Sequence, residues 1–262
     1  MKCIYWNTND IKAFDRIEDL LNHKSPDLLF LSEIKSSFIE VNHSTLLKLG
    51  YEYYENPGCD RVSIIKKVDL PTELKLQNYY YTVIRIINTD TFFVSIHLPS
   101  QMFQHMKALK EFIRDFRNDI DIEIGSSLEK KIVVIGDFNV NPHEDPMIDF
   151  DGFLATNSTN SRKTITHLGK KRATYYNPTW QLYSRKQFPG TKAFNRPSGS
   201  SYDILEYHYL DQVVISQYLL SNILNDTIEV IEKTDNFIFY NDGKNKIIGS
   251  DHLPLLYQFK II

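Results

Sequence analysis

The chain has 262 residues, a formal net charge of −3, 42% hydrophobic and 24% charged residues. Those proportions exclude a disordered or collagen-like chain and allow a core large enough to do without covalent staples. Two cysteines, Cys3 and Cys59, without metal-ligand spacing exclude a disulfide framework, and no apolar run reaches the length of a membrane span, so a cytoplasmic protein that makes no membrane contact is expected.

The first residues hold one lysine and then a strand-length apolar run, too short for a signal-peptide core. Lys2–Trp6 reads as a strand, and Asp10 as the cap of a helix that carries Phe14, Ile17 and Leu21 at helical spacing. After Pro26, the run 27–31 reads as a buried strand, and 38–49 as a second helix closed by Gly50. Strands are predicted over 62–65, 80–87 and 91–96, the last two paired through Asn88, Thr89 and Asp90. Met102, Met106, Leu109, Ile113, Phe116 and Ile120 form the longest helical stripe, facing a core. The run 131–135 is apolar throughout, as befits a strand buried on both faces. A polar, irregular stretch follows at 152–202, and strand character returns at 210–216 and 255–261. With no repeat and no low-complexity linker, residues 1–262 read as one domain of alternating strands and helices.

Several of these strands border polar residues able to bind a cation or move a proton: Asn7, Glu33, His97, Asp137 with Asn139, Asp211, and Asp251 with His252. Where neighbouring strands run parallel, such ends collect at one sheet edge, the usual place for a ligand in α/β proteins. Phosphate esters repel a nucleophilic oxygen until their charge is neutralised. Glu33 and Asp251 offer hard oxygens suited to Mg²⁺ (or Mn²⁺), Asn7 adds a neutral one, and His252 paired with Asp211 supplies a general base. Taken singly, Asp-Phe-Asn is usually a turn, Glu33 a carboxylate at a helix start, and His97 a hydrogen-bonded core residue. Asp211 inside an apolar strand is different, because an unpaired buried carboxylate is costly.

The runs Trp6-Asn7, Leu31-Ser32-Glu33, Ile96-His97-Leu98, Gly136-Asp137-Phe138-Asn139, Leu210-Asp211 and Gly249-Ser250-Asp251-His252-Leu253-Pro254 span most of the chain. In this order they resemble the endonuclease/exonuclease/phosphatase superfamily, whose fold is called DNase I-like. The resemblance implies a four-layered α/β sandwich with two central mixed β-sheets flanked by helices. It implies Asn7, Glu33 and Asp251 around the metal, Asp137 and Asn139 orienting water and holding a phosphoryl oxygen, and Asp211 paired with His252. His97 would contact the phosphate. Two departures stand out. Asn9 occupies a position where repair enzymes often carry Asp, and the strand from Arg61 to Lys66 lacks the family's small-residue pattern. Arg61 and Lys66 are expected as solvated strand-end charges, the alternative being positive charge near the phosphate.

Residues 152–202 hold Arg162, Lys163, Lys170, Lys171, Arg172, Arg185, Lys186, Lys192 and Arg196 and no acidic residue. Tyr175, Tyr176, Trp180, Tyr183, Phe188 and Phe194 are interleaved with them. Cations that follow phosphates and aromatics that stack on bases predict nucleic acid as substrate, gripped by Lys170, Lys171, Arg172, Tyr175, Tyr176 and Trp180 beside the active site. The alternatives are a phosphatase or phosphodiesterase for a small nucleotide or inositol phosphate, and a non-catalytic binding protein. No protein partner is implied.

Overall fold

The computed structural model describes residues 1–11, 14–100, 106–125, 127–184, 190–193, 207–241 and 246–261. Its first half runs β1 (Lys2–Asn7), α1 (Phe14–Lys24), β2 (Leu28–Ser32), α2 (Ser36–Val41), α3 (His43–Lys48), β3 (Tyr51–Tyr54), β4 (Val62–Lys67), β5 (Thr72–Asn78), β6 (Tyr81–Ile86) and β7 (Thr91–His97). There follow α4 (Met106–Glu123), β8 (Lys131–Asp137), α5 (Asp145–Ile148), β9 (Ala155–Thr156), β10 (Thr164–His167), β11 (Lys170–Ala173), β12 (Tyr175–Tyr176) and a 3₁₀ helix, Pro178–Ser184. The last elements are β13 (Lys192–Ala193), β14 (Tyr207–His208), β15 (Asp211–Ser216), α6 (Gln217–Leu220), β16 (Ile223–Val230), β17 (Tyr240–Asn241), β18 (Lys246–Ile247) and β19 (Leu255–Ile261).

Two mixed sheets dominate, ordered β16-β19-β1-β2-β4-β3 and β5-β6-β7-β8-β15-β12-β9. The four-layered DNase I-like architecture expected from the motifs holds. Strand alternation explains the layers. In β8, Val133 and Ile135 join the core between the sheets, while Ile132 and Val134 join a second core under α4. In β15, Val213 and Ile215 face one way and Val214 the other. Phe30 of one sheet stacks on Phe93 of the other at 6.5 Å, which keys the two faces together. On the outer face, α4 buries Leu109, Ile113, Phe116 and Ile120, the expected stripe; Met102 lies outside the described residues.

Three local expectations change. Asp10 does not cap α1: it sits in a turn with φ +55°, four residues before Phe14. The stretch 38–49 breaks at Asn42 into α2 and α3, and Gly50 follows the cap with φ +82°, donating its N–H to the Leu47 carbonyl. Residues 155–176 are more regular than their composition suggests, forming β9, the β10–β11 hairpin and β12. Among the described residues no helix is long and apolar enough to cross a membrane.

Candidate active site

The topology builds one polar edge. β1 and β2 are parallel, with Asn7 opposite Ser32, so Glu33 emerges beside Asn7. β7 and β8 are parallel, with His97 opposite Asp137. Two antiparallel strands reach the same edge by their beginnings: Asp211 starts β15 opposite Asp137, and His252 precedes β19, whose Leu255 pairs with Tyr5. The edge therefore needs parallel ends and antiparallel beginnings together.

The loop that carries His252 is stitched to β1. Ser250 Oγ donates to the Asn7 carbonyl at 2.8 Å, the His252 N–H donates to Ser250 Oγ at 3.1 Å, and Trp6 Nε1 donates to the His252 carbonyl at 3.1 Å. His252 Nδ1 then donates to Asp211 Oδ2 at 2.7 Å, with both side chains at most 1% exposed. Thr191 Oγ1 accepts the Asp211 N–H at 3.0 Å and fixes where that carboxylate begins.

His252 Nε2 lies 3.9 Å from Asp137 Oδ2 and 3.9 Å from Asp251 Oδ1. His97 Nε2 lies 3.6 Å from Glu33 Oε1 and 3.9 Å from the same Asp137 oxygen. Burial holds the His97 imidazole below its usual pKa, against the pull of Asp137 and Glu33, so it is neutral near pH 7. Burial also raises the pKa of Tyr5, helped by the negative charges of Asp137 and Asp211.

Glu33 and Asn139 both have φ near +52°, an uncommon conformation for non-glycine residues and one that side-chain positioning at a site repays. Contacts hold each in place. Thr8 Oγ1 and the Asp10 N–H donate to the Glu33 carbonyl at 3.1 and 2.8 Å; the Asn139 N–H donates to Asp137 Oδ1 at 2.9 Å, and its amide to the Leu98 carbonyl at 2.7 Å. Gly136 lies so close to β7 that a Cβ there would sit 1.8 Å from the Ile96 carbonyl oxygen; only glycine lets β8 present Asp137 beside His97.

Asn7 bridges the two carboxylates. Its amide N–H group donates to Glu33 Oε1 at 3.0 Å and Asp137 Oδ2 at 3.3 Å, while its carbonyl oxygen accepts the Asn9 N–H at 3.1 Å. In this orientation Asn7 aligns the two carboxylates, and its own oxygen is held by the next turn. The donor set remaining at the edge is hard and anionic. Asp137, Asp211 and His252 bring one ligand atom each within 4.8 Å of one another, and Glu33 and Asp251 stand nearer to solvent. Such oxygens suit a divalent cation. Because Asp211 Oδ2 and His252 Nδ1 are committed to each other, Glu33, Asp137 and Asp251 are the better ligands.

The expected substrate grip fares differently. Tyr175 and Tyr176 are 3% and 4% exposed and belong to the two cores, so neither ring is open to a base. Tyr175 pairs with Ser216, the far end of β15 from Asp211; five residues at ~3.4 Å each put it about 17 Å along the strand from the site. β11, with exposed Lys170 and Lys171, packs by the 3₁₀ turn Ser127–Glu129, also at that far end, and Arg172 lies over Phe150. The basic hairpin is therefore no border of the active site. Trp180 alone of the six lies on the near side: its ring packs 5.4 Å from Tyr183 and 6.5 Å from His143, in a cluster joined through Tyr183 to Asn141, two residues beyond Asn139. Arg185, Lys186, Phe188, Phe194 and Arg196 lie outside the described residues. Sequence reasoning missed Thr191, Thr8 and the positioning use of Ser250; only Ser250 carried a signal, inside Gly249-Ser250-Asp251-His252.

The sequence model of the Endonuclease/Exonuclease/phosphatase family matches residues 4–252. The chain belongs to that family. No curated protein matches the sequence. Among solved structures, family folds align over nearly all of it. TDP2 from C. elegans is 15% identical with TM-score 0.60, over 98% of this chain and 74% of that one. D. rerio TDP2 complexed with single strand DNA product is 14% identical with TM-score 0.61, over 99% and 98%. An AP endonuclease from Archaeoglobus fulgidus is 14% identical with TM-score 0.60, over the whole of both chains. At such identities these neighbours speak for the fold alone.

Proposed function

We propose that the protein is a Mg²⁺-dependent phosphodiester hydrolase that acts on nucleic acid. The observation that carries the reading is the fully buried Asp211–His252 pair, facing Asp137 at the edge where Glu33 and Asp251 gather. With Nδ1–H held by Asp211, His252 Nε2 is the nitrogen that would accept a proton from water, and the carboxylate would stabilise the imidazolium that results. Asp137 orients that water. Neutral His97 donates a hydrogen bond toward a phosphoryl oxygen, and Asn139 keeps the Asp137 loop in register. Glu33, Asp251 and Asp137 would hold Mg²⁺, which when bound neutralises charge on the phosphoryl group and the leaving oxygen.

Nucleic acid is favoured as substrate because two similar folds carry bound DNA: D. rerio TDP2 with a single strand DNA product, and the 3' phosphatase NExo from Neisseria with a product DNA hairpin. Trp180, beside the edge, supplies one aromatic face. A second reading, hydrolysis of a small phosphorylated molecule, gains from the distance between the basic hairpin and the site, since a small ester needs no long cationic track. Incubation with labelled single- and double-stranded DNA and RNA, with Mg²⁺, Mn²⁺ or EDTA, tests both. Cleavage of chromogenic phosphoesters without cleavage of any polynucleotide selects the second, and metal-independent turnover removes the proposed chemistry.

A further inference from the structure

Arg61 immediately precedes β4. Because Val62 pairs with Ser32, Arg61 stands across the sheet from Glu33, at the catalytic edge. The loop before it is rigidly tied. Asn56, itself buried, donates its amide to the Val62 carbonyl at 2.8 Å and accepts the Cys59 N–H at 3.0 Å on its own carbonyl. Gly58 N–H donates to Gln77 Oε1 at 3.1 Å and Cys59 Sγ to the Tyr79 carbonyl at 3.8 Å, so this loop of one sheet is fastened to the β5–β6 turn of the other.

That turn receives the guanidinium. Arg61 Cζ lies 5.1 Å from the Tyr79 ring centre and 5.9 Å from that of Tyr80; the Tyr80 backbone carbonyl accepts the His97 backbone N–H at 2.9 Å, and the Tyr80 ring packs edge-on against Phe112 at 5.0 Å. Among the described residues the guanidinium has no carboxylate partner, and its buried Nε–H has no acceptor. Lys66, at the opposite end of β4, is the contrast. It is buried, pairs with Glu52 at 2.5 Å and donates to the Leu70 carbonyl at 3.0 Å, a cation spent wholly on the fold. Neither residue is the solvated strand-end charge expected from sequence.

An unsatisfied buried N–H is costly, and a permanent cation usually finds a counter-ion. Here the two rings hold the guanidinium carbon beside them, and its N–H groups can serve an anion that must approach an edge crowded with carboxylates. A guanidinium fork matches the oxygens of a phosphoryl group. We propose that Arg61 is a substrate-binding residue, clamped by Tyr79 and Tyr80, that takes the phosphoryl oxygens of the ester beside His97. The assignment rests on the phosphoester reading above and names a cation of this chain that its family resemblance did not supply.

The test uses Arg61→Met, which keeps aliphatic packing on the two rings and removes every N–H, with Arg61→Lys as the charge-retaining variant. Affinity for inorganic phosphate is measured by calorimetry in Mg²⁺, and KM and kcat on bis(4-nitrophenyl) phosphate and a short oligonucleotide. Arg61→Met should weaken phosphate binding and raise KM by ~10–100-fold with Tm unchanged, and Arg61→Lys should recover only part of the loss, as expected for a charge-assisted fork. The proposal is overturned if Arg61→Met leaves phosphate affinity and KM within about twofold of wild type, if kcat alone falls, or if wild type has no measurable phosphate affinity. Wild type that binds phosphate through Arg61 but cleaves no phosphoester sinks the hydrolase reading and leaves this one standing.

Discussion

Replacing Asp211 by Asn isolates the charge behind His252 while keeping its shape. The carboxylate oxygen lies 2.7 Å from His252 Nδ1, with neither group open to water. At an effective dielectric of about 20, two unit charges at that distance attract by ~6 kcal/mol once the imidazole takes a proton. The substituted amide keeps a neutral hydrogen bond and some of the electrostatics, so roughly 3–4 kcal/mol of transition-state stabilisation should disappear. At ~1.4 kcal/mol per decade, kcat on a chromogenic phosphodiester falls by about two to three orders of magnitude. KM should hardly change, because Asp211 lies behind the histidine and does not face the substrate. The assay is initial rate in saturating Mg²⁺, with circular dichroism and Tm recorded in parallel. A variant that folds normally and loses less than about tenfold in kcat would falsify the assignment of His252 as general base supported by Asp211.

Glu33→Gln should raise the Mg²⁺ concentration for half-maximal activity by about tenfold or more without altering the fold, since a neutral amide is a poorer hard ligand; full wild-type activity in excess chelator contradicts a metal requirement altogether. Reversing Lys170, Lys171 and Arg172 to Glu should leave kcat and KM on a small diester unchanged, and on DNA it should act only on strands long enough to span the ~17 Å from site to hairpin base, where the salt dependence of binding becomes shallower. Equal loss on the small diester would show that the hairpin supports the catalytic edge after all. Away from the site, burial raises the pKa of Asp226, although the Tyr257 hydroxyl donates to it at 3.2 Å. The folded state thus binds that proton more tightly than the unfolded chain, so stability present at low pH is lost as pH rises through the folded-state value. Asp226→Asn should therefore raise Tm at pH 7 and make no difference near pH 3; a gain that persists at pH 3 points to packing instead of charge.

The polar edge was legible because chemistry punctuates the strands there. Asp211 interrupts an apolar run and Asp137 ends one, and in each case a buried carboxylate demands an explanation that a surface one does not. The edge strands were harder. β5 is half-buried throughout and β16 alternates polar and apolar residues only loosely, so neither shows the period that marks an interior strand. Tyr175 and Tyr176 misled for a related reason. A tyrosine in a cationic stretch reads as a stacking surface, but their strand is paired on both sides, by β15 and β9, and its two rings turn inward, one into each core. Arg61 misled in the other direction: its setting is made by a turn 18 residues downstream, which no local pattern announces.

β19 lies inside its sheet, between β16 and β1, and the loop before it brings His252 to a carboxylate 41 positions earlier. The chain must therefore thread one of its last segments between strands formed from its opening residues and from 223–230 before His252 reaches its partner. Pairings of such sequence separation close slowly. Recovery of turnover after dilution from denaturant should consequently lag the return of far-ultraviolet circular dichroism, which makes enzymatic activity a clock for the final strand insertion.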